Sequence, residues 1–545
     1  MKSMKRSILK RIEALLLAVC LITAGMPACA QEIATDLFGG LVGVPEGSAD
    51  SIEAQSVVPD MNSADLVMGY VSGDNPKLSP LTCNEQNLIS LNQLIYEPVV
   101  ELDGSMKPSP MLADSWTRSG KNWIFRLRSG ITFHNGYELT AYDVVQSYEA
   151  ILKAGSACPY YGRVSSLISD MQATDTLTLT VKAKYSGLVT LYGMTFPVMQ
   201  YSTVNDAVPR GTGPYWFIQY DGDGTIRLEA NALWWKKQPN IKSIIAKRYS
   251  DISYALEALE LKDIETLATK STKAAISRKL ADLTSMDYVT LTYEMLVPNL
   301  SKKSIMSDLN VRKAVMYAID RAIIASNAYV DMAIQCEVPV QPSSWLYESQ
   351  SAVYYYSPER ALQLMQNSGW QDLNSTGILS KLDGIMINEA QIDIITYNDS
   401  TSSVRENAAN LIAGYLNTIG INTTVTVVSK SRCKERMADK EYDLALIGVN
   451  LSEVPNLYAI LNSDGNLNFN NHKSDGLDAL LSSAAAATTE ADLKLIYSEI
   501  QLDVVERLPI MGLMFRTGTV LSRRSLAGLT GLRAFDTYNG IEFMQ

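Results

Sequence analysis

Histidine is nearly absent, with only His134 and His472 among 545 residues. A histidine metal site or a serine triad needs imidazoles beside partner groups, and two isolated ones far apart in sequence supply neither pattern. Six cysteines contain no C-x-x-C spacing, which removes the common zinc and dithiol motifs. Positive charge is in the minority, 47 Lys and Arg against 58 Asp and Glu for a net charge of −11, so a nucleic-acid surface is not expected. There is no apolar run of the ~20 residues that a spanning helix needs. No fixed-period repeat points to a solenoid. The glycine motif GTGPY at 211–215 lacks the lysine of a phosphate loop and reads as a turn.

What is present is an ordinary globular composition, 47% hydrophobic and 19% charged. At 59.9 kDa the chain exceeds what one core supports, since cores stop growing near ~250–300 residues. Two or three lobes are expected.

The amino terminus departs from this pattern. MKSMKRSILKR places five basic residues before the apolar stretch 14–24, the form of an export signal. Two processing readings stay open at AGMPACAQE: ordinary cleavage after Ala28-Cys29-Ala30, or lipidation of Cys29 as the first mature residue. The small Ala28 just before Cys29 favours the lipidated form. Loss of residues 1–28 subtracts a net +4 from −11 and leaves a mature chain near −15. Residues 29–63, rich in Gly, Ser, Ala and acids, suit a flexible tether. The fold is expected to begin near Asp65. Cys83, Cys158, Cys336 and Cys433 could form one or two disulfides after export, with the pairing open.

Periodicity supplies the elements. Trp123, Phe125 and Leu127 alternate with outward residues, and Ile131 and Phe133 resume the alternation after Ser129-Gly130, which predicts an antiparallel meander. Thr140 three residues before Asp143 predicts a helix start. DLNVRKAVMYAIDRAII reads as one amphipathic helix. SPERALQLMQNSGW reads as another, with Ser357 as cap, Pro358 at the first position and Gly369 as stop. From Ala390 to Val449 the pattern runs strand, helix, strand, helix, strand, which predicts a parallel α/β lobe.

LNQLIYEPVVELDGSMKPSPMLADSW followed by WIFRLRSGITFHNGYELTAYDVVQSY closely resembles the solute-binding protein family 5 of ABC importers, which includes oligopeptide- and dipeptide-binding proteins. PVMQ, GTGPYWF, NALWW, DLNVRKAVMYAIDRAII, YDLALIGV and LPIMGLMF continue the likeness in family order. The resemblance implies an α/β, two-lobed periplasmic-binding-protein-like clamshell of class II, with an extra subdomain in the first lobe. It implies a first-lobe core from 64–96, 206–298 and 506–545 around an inserted 97–205, and a second lobe from 299–505. The implied protein is exported and anchored through a lipid on Cys29 to the outer face of the cytoplasmic membrane. A monomer, it would capture a peptide or similar polar solute for a permease and ATPase complex, with no catalysis, cofactor, metal or nucleic acid. Alternatives are a binder of a metal chelate or oligosaccharide, or a clamshell receptor or adhesin without transport.

Relatives that bind peptides carry an acid for the peptide ammonium after the strand matching YDLALIGV. Here Ser452 takes that place with Glu453 beside it. If Glu453 turns inward it holds an amine; if outward, the amino terminus loses its anchor. Further cleft candidates are Thr82, Cys83, Asn84 and Glu85 after an early strand, Tyr293 and Asn299 where the chain crosses between lobes, Asn450, and Phe515 with Arg516 at the return crossing. His134 and His472 are read as structural.

Overall fold

The computed structural model describes residues 66–399 and 402–544; Cys29, the export segment and the tether lie outside them. One large sheet runs through the described residues. Its strands, in chain order, are β1 Leu66–Val71, β2 Tyr215–Tyr220, β3 Ile226–Ala230, β4 Ser243–Tyr249, β5 Thr266–Thr269, β6 Thr284–Pro298, β7 Ala333–Gln335, β8 Gln391–Thr396, β9 Asn422–Val427, β10 Leu444–Asn450 and β11 Met511–Ser522. Their order is β9-β8-β10-β6-β11-β5-β1-β4-β3-β2, with β7 added against β11. β1 pairs in parallel with β4 and β5, and β8 in parallel with β9 and β10. Two parallel α/β halves thus meet at the long antiparallel pair β6 and β11.

That pair builds the clamshell. Residues 284–289 of β6 pair with 517–522 of β11, whose other edge pairs with β5; residues 293–296 of β6 go on pairing with 511–515 of β11, while the opposite edge of 292–298 pairs with β10. Between these stretches the register slips. Thr290, Leu291 and Thr292 oppose Arg516 alone, a bulge that bends the strand where the chain passes from lobe to lobe. Thr290 Oγ1 donates to the Arg516 carbonyl at 2.8 Å, and Gln341 Nε2 donates to the Thr290 carbonyl at 2.7 Å.

Separate hydrophobic cores accompany the division. One surrounds Leu296, Val315, Ile394 and Leu446 on the β8–β10 side; another surrounds Leu66, Tyr215 and Ile244 on the β1–β4 side. A third, around Trp123, Phe125 and Tyr192, lies under a four-stranded antiparallel sheet within residues 113–183.

Local chemistry explains most element boundaries. The helix Ala141–Ala154 starts where Thr140 Oγ1 and N both donate to Asp143 Oδ2, at 2.7 and 3.0 Å. Arg360 N donates to the Ser357 cap at 3.4 Å, and Gly369 turns with φ +84° beyond the helix Pro358–Asn367. Two expectations are corrected. The segment 309–327 is two helices, Leu309–Ala318 and Arg321–Asn327, because Asp320 Oδ1 accepts from Ala322 N and Ile323 N and starts a second one. Strand Asn122–Leu127 pairs with Ala113–Ser119 and Thr178–Ala183, whereas Ile131 and Phe133 turn back in a small loop closed by a Thr132 and Glu138 bridge. The alternation there records burial of Ile131 and Phe133, not pairing with the preceding strand. Cys83, Cys158, Cys336 and Cys433 are free buried thiols.

His134 holds the crossover at GTGPY. Its backbone N–H donates to the Gly211 carbonyl at 3.1 Å and its Nε2 lies 3.2 Å from the Gly213 carbonyl. Gly211 is required at this crossing, since a Cβ would sit 2.0 Å from the Ile95 carbonyl oxygen. Burial, aided by nearby Arg210, pushes the imidazole down to about 4. The unfolded chain therefore binds a proton between about pH 6.5 and 4 that the fold resists. Stability from this group is complete above pH 6.5 and lost as pH falls toward 4. On going from pH 7 to pH 4, wild type is expected to lose about 3 kcal/mol more unfolding free energy than His134→Gln, measured by urea denaturation at both pH values.

Candidate functional site

A cleft of ≈ 610 Å³ opens between the two halves of the sheet. It lies at the carboxyl ends of β1, β5, β8 and β10: their last residues Val71, Thr269 and Asn450, and Tyr397 just after β8, stand on its wall. Parallel strands leave such a crevice because each must end in a loop that turns into the next element, and these loops present backbone and polar side chains to it. Helices α1 Gln86–Asn92, α2 Ile252–Glu260, α3 Val404–Thr418 and α4 Lys430–Ala438 begin at or near its rim.

The floor is a charge network. Glu294, on β6 and fully buried, receives Arg405 Nε at 3.0 Å and Arg405 Nη2 at 3.1 Å, and Arg516 Nε at 2.6 Å. Asp399 receives Arg405 Nη1 at 3.3 Å and Arg516 Nη1 at 3.1 Å. Gly448 makes room for the pair, because a Cβ there would lie 2.6 Å from Arg405 Nη2 and 2.9 Å from Glu294 Oε1. Burial alone would raise the Asp399 carboxyl; Arg405 and Arg516 outweigh it and hold it below the ordinary range. Tyr397 closes the site from above Arg405, whose guanidinium carbon is 4.4 Å from the ring centre.

Of the residues singled out from sequence, Glu85, Asn450 and Arg516 stand on this wall. Thr82 and Asn84 are exposed outside its lining, and Cys83 is buried with Sγ 3.9 Å from the Glu85 carbonyl. Tyr293 and Phe515 are fully buried, their ring centres 4.8 Å apart. Asn299 is buried and donates to the Lys440 and Tyr442 carbonyls at 3.1 and 2.6 Å. His472 is buried as well, with Nε2 2.7 Å from the Leu461 carbonyl. Sequence reasoning passed over Lys270, Asp399, Arg405 and Lys430, all on the wall; the signal was position, just after strands for Lys270, Asp399 and Lys430 and in the first turn of α3 for Arg405, since charge alone reads as surface.

Ser452 and Glu453 lie away from the cleft lining. Ser452 Oγ accepts from Val454 N at 3.1 Å. The Glu453 carboxylate is buried, with Arg533 Nη1 at 2.8 Å and Arg163 Nη1 at 3.4 Å. It therefore stands on the walls of two smaller cavities, of ≈ 90 and ≈ 50 Å³, and not on the wall of the cleft. The segment after β10 instead reaches the helix Tyr161–Leu167 and the segment after β11, tying the two lobes together.

A polar crevice between two α/β lobes that share two bulged crossing strands defines a clamshell for a solute. The profile of the bacterial extracellular solute-binding proteins, family 5 Middle, matches residues 107–470, and the chain belongs to that family. It is 24% identical over 519 residues to the oligopeptide-binding protein AppA of Bacillus subtilis (strain 168), covering 90% of this chain and 93% of that one. It is 23% identical over 497 residues to the heme-binding protein A of Haemophilus influenzae, covering 83% and 87%. The crystal structure of a nickel ABC transporter from Bacillus halodurans shares the fold with a TM-score of 0.74 at 19% identity, covering 88% of this chain and 98% of that one.

Removing one partner of a buried, paired charge leaves the other without a counter-charge. Glu453→Gln is expected to favour separated lobes, seen as a larger radius of gyration in small-angle X-ray scattering of the ligand-free protein. A scattering profile identical to wild type would contradict a tie between the lobes.

Proposed function

We propose that the protein is the substrate-binding component of an ABC importer, which captures a peptide or similarly sized polar solute between its lobes and presents it to a permease and ATPase complex. The observation that carries this reading is the ≈ 610 Å³ crevice walled by both lobes beside a two-strand hinge. A solute touching both walls gains its full contacts only when they approach, so binding shifts the population toward the closed form, which a permease can recognise. The reading needs no catalysis. Export and anchoring through Cys29 belong to it on the strength of the basic and apolar amino-terminal sequence. Among the described residues no helix is long and apolar enough to cross a membrane.

A non-peptide solute such as a metal chelate is the second reading, favoured by relatives described as heme-binding and nickel-binding. Thermal unfolding separates the two. Mixed di- to hexapeptides at 100 times the dissociation constant are expected to add about 2.7 kcal/mol to stability by mass action and to raise Tm. Peptides that leave Tm unmoved while heme or a nickel chelate raises it would decide for the second reading.

A further inference from the structure

The charges on the cleft wall do not balance. Lys273 pairs with Asp251 at 3.4 Å, and Arg405 and Arg516 are taken up by Glu294 and Asp399. Lys270, following β5 on one lobe, and Lys430, opening α4 on the other, have no carboxylate within ion-pair distance among the described residues. Glu85 is the one wall acid likewise without an ion pair among them. The cleft therefore presents two unanswered ammonium groups against one carboxylate.

Lys430 also stands at a second opening. A side pocket of ≈ 210 Å³ joins the cleft, and Tyr397, Lys430, Gly448 and Asn450 line both. Beyond them the pocket is apolar, walled by Met437, Ile447, Leu467 and Phe469, with Lys434 at its edge. Lys430 Nζ lies 5.5 Å from the Tyr397 ring centre, at the junction of the two spaces.

We propose that the solute carries a carboxylate beside a large apolar group, the carboxylate received between Lys270 and Lys430 and the apolar group seated against Met437, Leu467 and Phe469. This deepens the solute-binding reading and rests on it. A carboxylate supplies the counter-charge that both lysines lack. The side chain of Lys270 is exposed as a whole, yet the cleft walls around it partly desolvate the ammonium and, with Arg516, lower it; an anion beside it reverses that effect. The apolar group gains burial in a pocket whose rim holds the charged end in place. Because the lysines belong to opposite lobes, a bridging carboxylate is held by both only when the lobes approach.

The test is calorimetric titration of the full chain with Ala-Ala-Phe, Ala-Ala-Phe amide and Ala-Ala-Ala. Ala-Ala-Phe is expected to bind about tenfold tighter than its amide and about tenfold tighter than Ala-Ala-Ala. Lys270→Gln and Lys430→Gln each weaken Ala-Ala-Phe by about tenfold and leave its amide unchanged; both lysines are exposed enough for the fold to survive. Equal binding of acid and amide, or equal loss for both in the variants, overturns the proposal while leaving peptide binding intact. If no peptide binds, the peptide reading fails by itself. The pair 4-phenylbutyrate and 4-phenylbutyramide then decides the present proposal, and no preference for the acid overturns it.

Discussion

Glu294 fixes the geometry on which the cleft depends. It is a fully buried carboxylate on a strand shared by both lobes, and it binds Arg405 from α3 and Arg516 from the other shared strand. Burying a carboxylate without partners is prohibitive, and removing one member of such a group costs about 3–5 kcal/mol. Burial opposes the Arg405 charge, and Glu294 outweighs it, so the guanidinium stays above its ordinary value. The three groups therefore fix one another. Asp399 completes the set at the solvent side, and the floor of the cleft is left nearly neutral.

A neutral, rigid floor separates support from recognition. The guanidinia of Arg405 and Arg516 are already engaged, and the loops and helix starts at the strand ends carry the charges that have no ion pair among the described residues: Glu85, Lys270 and Lys430. Loops on a rigid scaffold are where binding residues gather, because their contacts vary without disturbing the core. The bulge at residues 290–292 adds the other requirement. It lies beside Arg516 and interrupts the ladder at the point of lobe-to-lobe passage, so bending there breaks fewer backbone hydrogen bonds than bending a regular pair would.

Much of the fold was legible because local chemistry and tertiary structure agree. The strand and helix succession from residue 390 to 450 reads from alternation, Gly420 and periodic apolar faces, and the structure builds it as β8, α3, β9, α4 and β10. The break at Asp320 was hidden because the apolar spacing continues through it, while a carboxylate capping Ala322 and Ile323 decides the backbone. Site residues were legible by region and not by face. Phe515 and Arg516 are neighbours, yet alternation along β11 sends the ring into the core and the guanidinium to the cleft; Tyr293 and Thr292 divide the same way on β6. Without the register, the sequence could name the crossing and not the side.

Glu453 shows the other limit of a linear reading. The sequence offered two orientations for its carboxylate, amine-facing or solvent-facing, since the partners Arg163 and Arg533 lie 290 and 80 positions away. Folding provides a third, in which the acid is consumed by the protein itself. An incoming ammonium would have to displace two guanidinia from a desolvated carboxylate, exchanging established ion pairs for one new one. The same contact costs something when the lobes part, because Arg533 then loses Glu453 and keeps Asp536, at 3.1 Å, as its ion-pair partner. Closure in this molecule is therefore weighted by its own ion pairs before any solute arrives, and a solute needs only to supply the difference in contact free energy between the two forms.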